Sequence, residues 1–270
     1  MTISVVLLLY FLASLGFITY LFLKKRGGQA PLRILYAACV ACHLLFVITL
    51  WHTTGQLPMA TPAQAINMLI LFSSLAFMPF VLRKNTTVLA AFFLPVAAFV
   101  LAFIAASLQP GHEVMIASSR YWYPLHTISV IMGEAFFVVA AIASVVYLIH
   151  ERIIKKGSIH SSVSALPPLT LLDSILYISL ALGFFAITIG MILGGLWASS
   201  MGLRFSHIAP KVLAGGLTWS VFAVSLHQRY AIGWKGRRTA IITLIGFTLM
   251  VLLFIAINLA FPDSHGIRLI

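Results

Sequence analysis

This 270-residue sequence contains nine histidines, whose side chains can ligate a metal or transfer a proton. Imidazole is a common axial ligand of haem iron, and two imidazoles can hold a six-coordinate haem. His126 and His265 are candidates for such a pair, because one opens the fifth long apolar run and the other follows the last one. Spacing alone favours the alternative, which is a pair of exposed surface histidines.

Two further histidines belong to apolar runs: His43 lies near the middle of the second run, and His227 lies at the C-terminal end of the seventh, beside Arg229. An ionisable group surrounded by hydrocarbon is costly, which makes each of them a candidate for function. The alternative is a structural histidine bonded to a backbone carbonyl or to a hydroxyl on a neighbouring helix.

Cys39, Cys42 and His43 form the pattern Cys-x-x-Cys-His, which is typical of covalent c-type haem attachment. Covalent attachment takes place in aqueous segments, whereas this pattern stands in the middle of an apolar run. We therefore expect the cysteines to be small packing residues. Glu134, about two helical turns after His126, shares roughly one helix face with it. It is a candidate for proton transfer or for a structural hydrogen bond.

The composition indicates that these residues are positioned by membrane-spanning segments. The chain is 61% hydrophobic and 8% charged, with a mean hydropathy of +1.08, whereas a soluble domain carries about 25% charged residues. The net charge of +12 flanks the apolar runs instead of lining one face. We therefore expect a membrane protein with lipid as a partner and no nucleic acid.

About eight runs are long enough to span a bilayer, and backbone groups in lipid must pair internally, so the runs are expected to be helices. The sequence predicts an all-α polytopic bundle forming a single membrane domain over residues 1–270. The predicted spans are Ile3–Leu23, Ile34–Trp51, Gln64–Leu82, Val88–Leu108, His126–Ile149, Leu171–Trp197, Val212–Leu226 and Thr239–Ala260.

Basic residues cluster in every second connection between these spans, and such clusters stay on the cytoplasmic side. Both termini are therefore predicted on the outer side, as are the connections Gly55–Ala63, Gln109–Leu125 and Ala198–Lys211. Arg204 and Lys211 are among the few basic residues on that side, where they could pair with haem propionates. The inner clusters are Lys24–Arg33, Arg83–Lys84, Arg152–Lys156 and Arg229–Arg238.

Several motifs in the C-terminal half occur in the order and spacing of a known family. The stretch resembles the cytochrome c assembly proteins of the CcsA and CcmC type over Tyr121–Ile270, and it is most similar to their HemX-like and YpjD-type branch. The motifs are Leu166–Leu169, Gly183–Phe184, Gly190–Ala198, Pro210–Lys211, Thr218–Trp219, His227–Arg229, Gly233–Arg238 and His265.

The resemblance implies haem ligation by His126 and His265 on either side of a tryptophan-rich segment whose edges are Trp197 and Trp219. It also implies a second, in-membrane site that uses His227 and His43. The central tryptophans of the family and the acid before Pro210 are missing here, and the aromatic platform is reduced to Met201, Phe205 and Ile208. This departure favours an accessory role.

The prediction is a carrier or accessory protein for non-covalent, b-type haem in the bacterial inner membrane, and the question of enzymatic activity stays open. It would act in cytochrome maturation or haem homeostasis with other cytochrome assembly proteins. A small-solute transporter, an electron-transferring b-type cytochrome and an assembly scaffold with a decayed haem site remain alternatives. The transporter would need broken helices near the midplane, and only Pro79 and Pro95 lie well inside spans.

Overall fold

A computed structural model describes residues 2–23, 29–55, 57–59, 61–83, 86–108, 121–157 and 166–260. Within these ranges the regular structure is helical throughout, and short 3₁₀ turns at Thr87–Leu89 and Ala105–Leu108 flank the fourth helix. The helices are α1 (Ile3–Leu23), α2 (Gln29–Thr54), α3 (Pro62–Val81), α4 (Ala90–Ile104), α5 (Trp122–Lys155), α6 (Leu169–Ser200), α7 (Phe205–Ala231) and α8 (Arg237–Ala260).

The described helices confirm the predicted polytopic membrane bundle. Eight segments among them are long and apolar enough to cross a bilayer. Several helices extend beyond the predicted spans, most of all α5 with 34 residues. At 1.5 Å per residue it is about 50 Å long, which exceeds the roughly 30 Å of a hydrocarbon core. The side of the membrane on which each end lies stays a prediction.

The connection predicted over Ala198–Lys211 is wrong in its extent. Helix α6 continues to Ser200 and α7 begins at Phe205, so that only 201–204 join them. Gly202 makes this short turn possible with a φ of +63°, a value that glycine adopts without strain. Its backbone N–H donates to the Ser199 carbonyl and that of Leu203 to the Ala198 carbonyl, at 3.1 and 3.0 Å. The serine-rich composition therefore marks a helix end and not a long loop.

Helix α5 is the centre of the bundle. It packs against α3, α6 and α8, while α1 packs against α2 and α4, and α7 packs against α6 and α8. The larger apolar core lies mainly among α1–α5 and also includes Leu172, Ile175 and Leu176 of α6 and Ala240 of α8. A smaller one joins α5–α8, where the rings of Phe137 and Phe222 stack with centroids 3.8 Å apart. The two halves of the molecule thus meet along α5.

Glycines allow α5 and α6 to approach each other closely. A Cβ atom on Gly133 would stand 2.5 Å from Ile187 Cγ1 and 2.9 Å from the Gly183 carbonyl oxygen. A Cβ atom on Gly190 would stand 2.7 Å from Val130 Cγ2. Small residues at such contacts are typical of helix packing in membranes, where close van der Waals contact drives association. This interface fixes the register between α5 and α6.

Candidate functional site

His126 lies in the second turn of α5, at the end of the bundle where α5 begins and α6 ends. We call this the outer end, following the predicted topology. The Nδ1 atom of His126 is 2.7 Å from the carbonyl oxygen of Gly190 on α6. The ring also lies parallel to the indole of Trp197, with centroids 6.2 Å apart and planes 14° apart. The side chain is half-buried, and its Nε2 atom forms no hydrogen bond to any described residue.

Aromatic rings form one wall around His126. Tyr123, one turn earlier on α5, packs against Trp197 with ring centroids 5.4 Å apart. The Tyr123 hydroxyl donates to the Met59 carbonyl at 3.0 Å, which ties α5 to the connection between α2 and α3. The indole N–H of Trp197 is enclosed and has no acceptor in the described part of the chain. The Tyr123 ring is therefore held in place by contacts on two sides, and the Trp197 N–H remains a donor without an acceptor in the described part of the chain.

Basic residues stand at the same end. Lys211, in the second turn of α7, is half-buried and close enough for its positive charge to act on the His126 ring. Arg204 is exposed at the start of α7. His265, the predicted second ligand, lies outside the described residues. The structure thus brings His126, Trp197 and Lys211 together, with Arg204 at the same end.

Trp219 lies deeper than its predicted place at the edge of a loop. It is about four turns into α7, where its Nε1 donates to Thr188 Oγ1 at 2.9 Å. Its ring packs on that of Phe184, with centroids 5.1 Å apart. Trp219 therefore joins the middles of α6 and α7 and does not meet Trp197.

His43 is completely buried among α1, α2 and α3. Its Nδ1 is 3.0 Å from the Tyr10 hydroxyl, and its Nε2 is 3.1 Å from Asn67 Oδ1. The Tyr10 hydroxyl in turn contacts Ser74 Oγ at 2.6 Å, and the Tyr36 hydroxyl donates to the Ser74 carbonyl at 2.8 Å. Both ring nitrogens are thus occupied by neighbouring helices, an arrangement typical of a structural histidine.

His227 and His43 are not brought together by the described contacts. His227 is exposed near the C-terminal end of α7, which packs on α6 and α8. His43 lies on α2, which packs on α1 and α3. Within the described residues, no hydrogen bond or ring contact joins the two side chains.

The other chemistry-bearing residues predicted from the sequence have simple surroundings. Cys39 and Cys42 are free thiols, and the buried Cys39 donates to the Leu9 carbonyl at 3.3 Å. Glu134 is half-buried on α5, and its carboxylate has no hydrogen-bond or ion-pair partner among the described residues. Groups of three or more His, Cys, Asp or Glu side chains that could hold a metal ion do not occur in the described ranges.

One polar cluster was not predicted from the sequence. Asp173, near the start of α6, accepts hydrogen bonds from both terminal nitrogens of Arg229 on α7 and from the backbone N–H of Gly236. The sequence could have predicted this pair, because the topology places Asp173, early in one span, and Arg229, late in the next, at the same membrane face.

Comparison with known proteins places these features in context. The family model described as cytochrome C assembly protein matches residues 62–263, from the start of α3 onward. The chain is 25% identical over 230 residues to the cytochrome c biogenesis protein CcsA of Chlamydomonas reinhardtii, covering 83% of this chain and 64% of that protein.

Two cyanobacterial relatives are also similar. The identity is 22% over 284 residues to the cytochrome c biogenesis protein CcsA of Prochlorococcus marinus subsp. pastoris, covering 97% of this chain and 90% of that protein. The corresponding protein of Nostoc punctiforme is 41% identical over 95 residues, which cover 35% of this chain and 27% of that protein. The similarity therefore reaches further toward the N-terminus than the motifs over Tyr121–Ile270 indicate.

Proposed function

The chain belongs to the cytochrome c assembly protein family, and we propose that it is a haem-handling accessory protein of cytochrome c maturation. Its relatives in Chlamydomonas reinhardtii and Prochlorococcus marinus are named as cytochrome c biogenesis proteins, which supports this role. In the proposal, a non-covalent b-type haem binds at the outer end with His126 and His265 as the axial ligands. The protein would do this in a bacterial inner membrane, as a member of the HemX-like branch.

The proposal rests on the hydrogen bonding of the two nitrogens in the His126 ring. Its Nδ1 is bonded to a backbone carbonyl, while its Nε2 has no partner among the described residues. A neutral imidazole anchored through one nitrogen and open at the other is the usual form of a metal-binding histidine. Bound haem would supply an iron atom that Nε2 could coordinate.

The neighbouring side chains fit the rest of the group. Trp197 and Tyr123 offer apolar ring surface beside His126, which suits a flat macrocycle. Lys211 and Arg204 add positive charge at the same end, which suits two propionates. The proposal does not extend to an in-membrane site, because His43 is already bonded at both ring nitrogens.

Haem content after purification in detergent tests the proposal. The wild type should retain haem by the pyridine haemochrome assay, and His126→Ala should lose most of it. His52→Ala is the matched control, because His52 is an exposed histidine at the outer end of α2. A Soret band that persists in the His126→Ala, His265→Ala double variant would reject this ligand pair. A wild type that neither retains nor takes up haem would favour the scaffold alternative.

A further inference from the structure

We propose that Gly190 and Gly194 of α6 are positioning residues for His126, one through its carbonyl oxygen and the other through its missing side chain. Together they set the tautomer and the rotation of the imidazole, so that Nε2 is the nitrogen presented to a ligand. The expected effect on haem affinity rests on the proposed function. The geometry of the ring itself can be measured without haem.

The Gly190 carbonyl determines the tautomer. A carbonyl oxygen only accepts hydrogen bonds, so the His126 Nδ1 atom at 2.7 Å must carry the proton. In the neutral ring the lone pair is then on Nε2, the nitrogen that has no described partner. A hydrogen bond of this kind at the far side of a ligating histidine fixes its orientation and raises its basicity.

Gly194 provides the space for the ring one turn further along α6. A Cβ atom at this position would be 2.7 Å from both Cε1 and Nδ1 of His126, and the next nearest atom, Cγ at 3.5 Å, belongs to the same ring. Any side chain here must push the ring away from α6 and lengthen the bond to Gly190. Real Cβ atoms essentially never approach another heavy atom this closely.

The two glycines differ in what a substitution would disturb. At Gly190 a Cβ atom would meet Val130 Cγ2 at 2.7 Å and the Val130 backbone nitrogen at 3.1 Å, so a substitution would separate the helices. At Gly194 the nearest atoms all belong to the His126 ring. Gly194→Ala therefore tests the position of the ring with little effect on helix packing.

Gly195→Ala is the matched control, because a Cβ atom at Gly195 would meet nothing within 4 Å. Both variants and the wild type are purified in detergent and titrated with haemin. We expect Gly194→Ala to bind haem about tenfold more weakly, a loss typical of a disturbed partner of a ligating histidine. Its low-spin spectrum should also change, whereas Gly195→Ala should match the wild type. Equal affinity and equal spectra in the two variants would overturn the inference.

A measurement on the wild type covers the case in which Gly194→Ala fails to fold. In haem-free protein labelled with ¹⁵N-histidine, the His126 signals, assigned by their loss in His126→Gln, should show a protonated Nδ1 and an unprotonated Nε2. The opposite tautomer would overturn the inference. If the tautomer is as expected but haemin does not bind to the wild type, the positioning of the ring stands and the proposed function fails.

Discussion

Arg229 on α7 and Asp173 on α6 form a bidentate ion pair, with N–O distances of 2.9 and 2.7 Å. The carboxylate also accepts the Gly236 N–H at 2.7 Å, so the same acid fastens the residue before α8. The guanidinium lies 4.4 Å over the Tyr177 ring. Three helix ends, those of α6, α7 and α8, are therefore joined at one point, opposite the end that carries His126.

Asp173→Asn should weaken this junction markedly. The Arg229 side chain is 10% exposed, and in the variant it would lose its counter-charge while staying largely buried. Breaking a buried pair on one side costs about 3–5 kcal/mol, and we expect the lower part of that range here because one edge of the pair is open to solvent. The expected result is a fall in the melting temperature of the detergent-solubilised protein by several degrees.

Glu151→Gln is the control for that variant. Glu151 pairs with Lys155 and Arg237, whose side chains are 61% and 59% exposed. Exposed pairs contribute about 0–1 kcal/mol, so this change should leave the melting temperature nearly unaltered. Equal losses in the two variants would show that the Asp173 junction has no special role.

Replacing glycine by alanine should change the stability in opposite directions at the interface between α5 and α6 and at an unobstructed position on α7. Gly133→Ala forces a Cβ atom against Ile187 and the Gly183 carbonyl, and such overpacking costs about 1–3 kcal/mol. Gly216→Ala on α7 is the counterpart, because its Cβ atom would meet nothing within 4 Å. Replacing glycine by alanine inside a helix without a clash stabilises it by about 1 kcal/mol. Thermal unfolding should therefore shift in opposite directions for the two variants.

His43→Leu should destabilise α1–α3 without lowering the haem content of the folded protein. The Tyr10 hydroxyl keeps its contact with Ser74, but Asn67 Oδ1 loses its partner. A buried polar group left without a partner costs about 1–3 kcal/mol. Melting temperature and haem per folded chain are the two readouts. The His43→Leu, Asn67→Leu double variant should recover part of the stability, because it removes one orphaned partner. A selective loss of haem would instead identify His43 as a ligand.

Glu134→Leu should raise the melting temperature. A carboxyl group within a membrane span is costly unless it is paired, and Glu134 has no hydrogen-bond partner among the described residues. Glu134→Gln should have a smaller effect, because the amide is also polar. A lower melting temperature in the leucine variant would mean that the acid makes a favourable interaction in the bilayer.

The sequence predicted the eight-helix membrane architecture because the length and apolarity of a span are local properties that the bilayer makes decisive. The alternation of spans also assigned His126, Arg204 and Lys211 to one membrane face, whereas the place of Trp197 was implied by the family resemblance. The alternation of spans determines only the membrane face of each helix end, so the assignment of a residue to a face required no knowledge of how the helices pack.

The remaining features depend on distances between helices, which a single sequence does not encode directly. The contact of His126 with Gly190 requires the register of α5 against α6. The bonds at both nitrogens of His43 require three helices to converge. The extent of the connection around Gly202 was predicted wrongly because serine and glycine occur both in loops and at the ends of long membrane helices.

The glycine contacts between α5 and α6 also bear on biosynthesis. These two helices are consecutive in the chain, and their contact needs no residue that follows Ser200. They can associate as a hairpin inside the bilayer before the ribosome has finished translating α8. Helices α7 and α8 would then insert beside a preformed partner, so the order of synthesis and the order of packing coincide.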